Sequence, residues 1–216
     1  MAKVFLSPSN QRENLYAYGN KHEAEVCGQI AQACKKALER CGITVGLNHY
    51  GTLKEKCDEA NNGNYNVFIS IHSNAHNKIT SGTRIFTYGN GSNEIRLAQC
   101  IFNTLAPFTP GKSENIQPYP ELYELKSTKM AACLVEVDFH DVPSVAKWIV
   151  EHTTEIGEKI ADGICQYFGV KYVSSDNSSS SKMYRIICGS FKDRNNANKR
   201  QKELKLKGFD SFIEIK

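Results

Sequence analysis

The sequence predicts an α/β protein, a sheet in three layers with helices on both faces, plus a small C-terminal α+β module. Three observations carry this. Val67-Phe68-Ile69-Ser70-Ile71 and the stretch from Ala132 to Phe139 are apolar nearly throughout, as central strands covered on both faces must be. Segments with apolar residues at helical spacing alternate with such strands along 1–173. A polar, serine-rich run, 174–182, then separates that part from a short basic segment, 183–216.

Val4-Phe5-Leu6 reads as the first strand, ending at Ser7-Pro8-Ser9-Asn10-Gln11 because Pro8 cannot donate to a sheet ladder. A helix is expected from about Lys21 to Cys41, with Val26, Cys27, Ile30, Ala31, Cys34, Ala37 and Leu38 on one face. Asn20 and Glu23 suit a capping box at its start, and Gly42 closes it. Ile43–Leu47 reads as a strand, 52–60 as a short helix, Arg84–Tyr88 as a strand and Asn93–Leu105 as a helix. Leu122–Leu125 reads as short and extended, and helices at 144–151 and 153–168 complete the unit. In 183–216 the pattern is strand (Tyr184–Cys188), helix (Asn195–Lys207), Gly208 as cap, and strand (Ser211–Ile215).

With 216 residues, 40% apolar and 23% charged, the chain can bury a sizeable core. It has no run of about 18 apolar residues, which excludes a helical membrane span. Met1-Ala2-Lys3 leads into only three apolar residues before Ser7, so no signal peptide is expected, and the protein would be made in the cytoplasm and act outside only after release. Cys27, Cys34 and Cys41 recur on a helix face and no Cys-x-x-Cys pair occurs, so the eight cysteines read as thiols. The net charge of +4 divides into +5 for 183–216 and −1 for the rest, pointing the C-terminal module toward an anionic surface. Nucleic acid is disfavoured as that partner, because aromatic and glycine-rich cues are few.

Chemistry is expected where strands end. The 67–71 strand delivers His72, and the 132–139 strand carries Glu136, Asp138 and His140, whose spacing of two puts all three on one face if the strand persists. An acid such as Glu136 inside an apolar strand costs several kcal/mol unless it is paired, metal-bound or protonated. Imidazole and carboxylate together, with Glu23 opening the first helix, are the donor types of a catalytic zinc site, beside which a carboxylate that is not a ligand moves protons.

Ile69-Ser70-Ile71-His72-Ser73-Asn74-Ala75, then Ser81-Gly82-Thr83 and Leu134-Val135-Glu136-Val137-Asp138-Phe139, resemble the zinc-dependent N-acetylmuramoyl-L-alanine amidases of bacterial cell-wall lysis and phage endolysins. The resemblance covers 1–170 and implies hydrolysis of the amide between muramic acid and L-alanine in peptidoglycan. It implies Glu23 and His72 as zinc ligands and Glu136 as the catalytic acid/base. The family's remaining ligand is a histidine at the end of the first strand, where this chain has Asn10. His140 is the favoured replacement, with His22, Asn10 and Gln11 as alternatives. Asn10, Gln11 and Asn74 are assigned to substrate contact. His49, His76 and His152, in polar surroundings, read as surface residues. Tyr184 to Phe191 and the basic helix that follows resemble half of a SPOR peptidoglycan-binding domain, which two copies of the chain could complete by pairing. Peptidoglycan is thus the expected partner, anionic wall polymers a further one, and an endolysin the expected role. The competing reading is a non-catalytic wall-binding protein on a degenerate amidase fold.

Overall fold

The computed structural model describes residues 2–112, 115–175, 188–209 and 211–213. The chain forms two compact units, Met1–Ser178 and Ser179–Lys216. In the first, β1 (Lys3–Pro8), β2 (Thr44–Leu47), β3 (Val67–Asn74), β4 (Arg84–Thr87), β5 (Asn115–Pro118) and β6 (Ala131–Phe139) make one sheet in the order β2-β1-β3-β6-β4-β5. Strands β1, β2, β3 and β6 are parallel, so their C-terminal ends lie side by side. Strand β4 runs antiparallel to β6, and β5 pairs with β4.

Each sheet face is covered. Helices α1 (Glu23–Arg40), α3 (Ser92–Leu105), α5 (Pro143–Glu151) and α6 (Thr153–Phe168) pack against Val4, Leu6, Ile69, Ile71, Val135 and Val137. Helices α2 (Leu53–Asn62) and α4 (Tyr123–Ser127) cover Phe5, Phe68, Ala132 and Leu134. The period of two in each strand thus sends alternate side chains into two separate apolar layers. Gly157 permits the close approach of α6 to α1, since a Cβ there would lie 2.6 Å from the Ile30 carbonyl oxygen. No disulfide forms among the described residues, and Cys27, Cys34, Cys57, Cys133 and Cys165 are buried.

Two local expectations change. Asn20 does not cap α1: it sits in the left-handed region (φ 50°), and His22 is the N-cap, its Nδ1 accepting from the Glu25 amide at 3.2 Å. Leu122–Leu125 is not extended, because Tyr123–Ser127 is a single helical turn laid over the sheet with Leu125 buried. Edge strand β5 was not foreseen, because its sequence, Asn-Ile-Gln-Pro, is too short and polar to signal a strand.

In the second unit, α7 (Arg194–Leu206) is capped by Asp193, which accepts from the amides of Asn195 and Asn196. The strand expected at Tyr184–Cys188 falls outside the described residues except for Cys188, as does the linker beyond Ser175. Residues 211–213 carry no strand assignment, and the rest of the expected 211–215 strand lies outside the described residues. Among the described residues no helix is long and apolar enough to cross a membrane.

Candidate active site

The α2/α4 face of the sheet changes chemistry toward the strand ends. Its first row, Phe5, Phe68 and Ala132, is apolar, and the second is Ser7, Ser70 and Leu134. Beyond them His72 stands opposite Glu136, and Glu136 opposite Arg84 on β4. Ser9 follows on the β1 side, its N–H bonded to the Ile71 carbonyl at 2.9 Å. The register alone therefore carries the face from core to ionisable site within three rows.

His72 lies at the centre, with its two ring nitrogens facing different carboxylates. Nδ1 is 2.9 Å from Glu23 Oε1, and Nε2 is 3.9 Å from Glu124 Oε2. Glu23 is available for this contact because His22 takes over the helix cap. Its other oxygen accepts from Asn14 Nδ2 at 2.7 Å, and Ser9 hydrogen-bonds it too. Glu124 is only 4% exposed and accepts from the Ser7 hydroxyl and, at 2.7 Å, from the Ser70 hydroxyl. The sequence assigns Glu124 no role in the site. Its one available signal was an acid beside Leu125 in a stretch otherwise fit for burial.

The electrostatics follow from burial and these contacts. Burial alone would strip the proton from His72, but Glu124 and Glu23, followed by the charge of Glu136, outweigh it and lift the imidazole to about 10. Glu23 and Glu124 would be raised by burial, yet the hydrogen bond and charge of His72 and the hydroxyl and amide donors hold both below the ordinary carboxylate value. Glu136 goes the other way. Burial dominates and lifts it to about 7, with His72 opposing and Glu23 assisting. Its Oε2 is buried with no hydrogen-bond partner. Two ionised carboxylates, an imidazolium and a carboxyl poised near neutrality thus share one strand-end cluster.

A cleft of about 290 Å³ opens on the Nε2 side of His72, lined by Ser9, Asn10, Gln11, Lys56, Glu124 and His72 itself. Lys56 is buried and its Nζ donates to the Pro8 carbonyl at 2.7 Å. Asn10 and Gln11 therefore border the cleft, but their side chains are engaged. Asn10 Nδ2 donates to the Gly51 carbonyl at 3.0 Å, and Gln11 Oε1 accepts from Asn14 Nδ2 at 2.7 Å. Asn74 Oδ1 accepts from the Ala75 amide at 2.8 Å and shapes the end of β3. His22 is committed to the α1 cap.

His140 and Asp138 are placed differently from the sequence expectation. Strand β6 ends at Phe139, and the His140 ring stacks on Tyr16 (centroids 4.9 Å apart) with Nδ1 at 2.9 Å from the Ser73 hydroxyl. Burial lowers its proton affinity, opposed in part by the charge of Glu23. Asp138 accepts from the amides of Gly82 (2.6 Å) and Gly111 (3.1 Å), tying two loops together. Only glycine serves at 111, where a Cβ would lie 2.0 Å from the Gly82 nitrogen.

A catalytic zinc takes three protein donors beside an open position. Glu23 and His72 are brought together, but Asn10 turns to Gly51, His140 turns to Ser73, and Glu124 sits on the opposite nitrogen of His72 from Glu23. Among the described residues no group of three His, Cys, Asp or Glu side chains could hold a metal ion. The expected trio of Glu23, His72 and His140 is thus not assembled, and the residues present do not fit the three-donor zinc site.

The family model described as N-acetylmuramoyl-L-alanine amidase matches residues 9–166, and that of the SPOR domain matches 166–214. A sporulation-specific N-acetylmuramoyl-L-alanine amidase of Bacillus subtilis is 26% identical over all of this chain and 86% of its own length. The B. subtilis amidase LytC is also 26% identical, over 76% of this chain but only 35% of its own length. Among solved structures, the catalytic domain of the amidase CwlV from Bacillus (Paenibacillus) polymyxa var. colistinus superposes with a TM-score of 0.71 at 22% identity, covering 79% of this chain and all of that domain. The amidase AmiC2 of Nostoc punctiforme gives 0.70 at 21%, covering 78% and 97%. At these identities the structural matches establish the fold, and the family model, spanning most of the chain, establishes the rest: this protein belongs to the N-acetylmuramoyl-L-alanine amidases, the hydrolases of peptidoglycan.

Proposed function

We propose that the chain cuts the amide between muramic acid and L-alanine with Glu136 as general base and then general acid. The observation that carries this reading is the buried, unpartnered Oε2 of Glu136, in a carboxyl held near 7 beside His72. A base with proton affinity close to the working pH both accepts a proton from the attacking water and returns it to the departing alanine nitrogen. The positive charge of His72 favours the ionised form of Glu136, and His72 itself lines the cleft of about 290 Å³. The test is the product of digesting purified walls. New free amino termini without new reducing ends support an amidase, whereas new reducing ends would assign the cut to the glycan.

Zinc is the cofactor that the family resemblance implies. Glu23 and His72 are the two residues that could hold it, and the metal content of the purified protein, compared with His72→Ala, measures whether they do. The shortfall of one donor favours a second reading, a wall-binding protein without activity; lysis restored by zinc after chelation would rule it out.

Residues 179–216 would hold the enzyme on the wall. The SPOR match and the +5 charge of 183–216 support this, and anionic wall polymers and pairing of two copies are the finer parts of the proposal. Retention on walls that weakens with salt, and sedimentation of the full chain, test these two parts separately. An endolysin-like role, with access to the wall after release from the cytoplasm, accords with a lytic catalytic domain joined to a wall-binding one, and finding the coding sequence within a prophage would support it.

A further inference from the structure

Glu124 belongs to none of the roles assigned so far, and its setting is unusual. It is the second residue of a five-residue helix, yet its carboxylate is buried. An acid placed there costs several kcal/mol unless donors meet it, while the apolar neighbours Leu125 and Leu134 would receive a leucine without that cost. Donors are supplied from two different strands, Ser7 on β1 to Oε1 and Ser70 on β3 to Oε2. Both oxygens are therefore anchored, and Oε2 is held 3.9 Å from His72 Nε2.

We propose that Glu124 is a positioning residue for the amidase reaction, fixing the His72 ring so that Nε2 faces the α4 turn and Nδ1 faces Glu23. The proposal deepens the reading in which His72 and Glu136 form the reacting centre. Its geometric basis is the bracket itself: the two carboxylates address the two nitrogens of one ring from different edges, at 2.9 Å and 3.9 Å. Turning the ring over would set carbon atoms against both. One ring orientation satisfies the bracket, and with it the face of His72 presented to Glu136, its partner across the β3–β6 register, is set. A hydroxyl-anchored carboxylate suits this task better than a free one, because it has little rotational freedom of its own. Displacing a catalytic group by about 1 Å can cost 10²-fold in rate, so the orientation has a measurable consequence.

The experiment compares Glu124→Leu, Glu124→Asp and Glu124→Gln in the full chain, using a soluble muropeptide for kinetics and ring ¹⁵N shifts of labelled histidine, with His72→Ala to assign the signal. Leucine removes the oxygen that faces Nε2 and aspartate withdraws it by one methylene, whereas glutamine keeps an oxygen in that place. The expected result for Leu and Asp is a kcat lower by roughly 10–100-fold, KM unchanged, and His72 ring nitrogen shifts displaced from their wild-type values. The Leu variant should melt below the wild type, because it leaves the His72 imidazolium and the Ser7 and Ser70 hydroxyls without their buried acceptor. Glutamine should restore both kcat and the His72 shifts toward wild type. Unchanged kcat or unchanged His72 shifts in Glu124→Leu overturn the proposal, and if that variant does not fold, the same outcomes in Glu124→Asp do so. A wild-type chain without amidase activity would defeat the reaction assigned to Glu136 while leaving the ¹⁵N comparison to decide the role of Glu124.

Discussion

Glu136→Gln should abolish activity and stabilise the fold, and the two effects have one cause. In the native protein the carboxyl is lifted from an ordinary 4.5 to about 7 by burial. At 1.36 kcal/mol per pKa unit, ionising it in place costs on the order of 3 kcal/mol, an upper figure once local relaxation is allowed. The sign can be followed along the pH axis. Below about pH 4.5 the group is protonated in both folded and unfolded chains, so wild type and variant should melt alike. Between 4.5 and 7 only the unfolded chain ionises, wild-type stability falls, and the neutral glutamine does not follow it. Above 7 the full difference is expressed, roughly 6–12 °C in melting temperature for a unit of this size. Glutamine disrupts no hydrogen bond of Oε2, which has none. Activity on a soluble muropeptide should meanwhile fall by roughly 10²–10⁴-fold, the usual contribution of a general acid–base. The assays are calorimetry from pH 4 to 9 and release of free amino groups. A variant that keeps more than a tenth of wild-type activity, or that melts below wild type at pH 8, would refute the reasoning.

Further outcomes follow from the same cluster. The kcat/KM of the wild type should climb about tenfold per pH unit up to about 7, as Glu136 ionises, and level off above it; a flat profile between pH 5 and 8 contradicts the assignment. His72→Ala leaves Glu23, Glu124 and Glu136 facing one another without their cation, and should destabilise the fold at pH 7 by about 3–5 kcal/mol, with much of the loss relieved near pH 4. A chain ended after Ser178 keeps the whole of the larger unit's core, so it should retain activity on soluble muropeptide and lose cosedimentation with walls.

What could be read from the sequence was set by how local each determinant is. β3 and β6 show themselves as apolar runs, and they place His72 and Glu136 at neighbouring strand ends by parallel register. The α1 pattern of Cys27, Ile30, Ala31, Cys34 and Leu38 is likewise intrinsic, and all five are buried. The α1 cap was misassigned because Asn20 follows Gly19 in a left-handed turn, which local composition does not distinguish from a cap position. The α4 turn has no helical period to detect; it is held by packing of Leu125 and by the contacts of Glu124. Glu124 was illegible for the same reason, since its donors lie 117 and 54 positions away. On an extended strand the spacing of two faces His140 the same way as Glu136, and the strand ends one residue too early for that.

The neutral stretch Ser7-Pro8-Ser9 acquires its reason from this cluster. Carboxylates sunk at a strand end need donors, and a charged donor there would compete with His72 for them. Hydroxyls supply hydrogen bonds without that competition: Ser7 and Ser70 to Glu124, Ser9 to Glu23. A Ser7→Ala/Ser70→Ala double variant tests the argument through its pH dependence. Glu124 is held below its ordinary value, where burial is opposed first by His72 and then by these two hydroxyls. Its contribution to stability is therefore present above about pH 4.5 and is lost as pH falls through the folded-state value. Removing both donors leaves a buried carboxylate short of two partners, at about 1–3 kcal/mol each. The double variant should thus melt lowest relative to wild type at pH 6–7, and the gap should narrow as pH falls below about 4.5 and Glu124 takes up a proton. A loss of the same size at every pH would mean that the hydroxyls act through packing alone, and the account of why this strand ends in serine would fail with it.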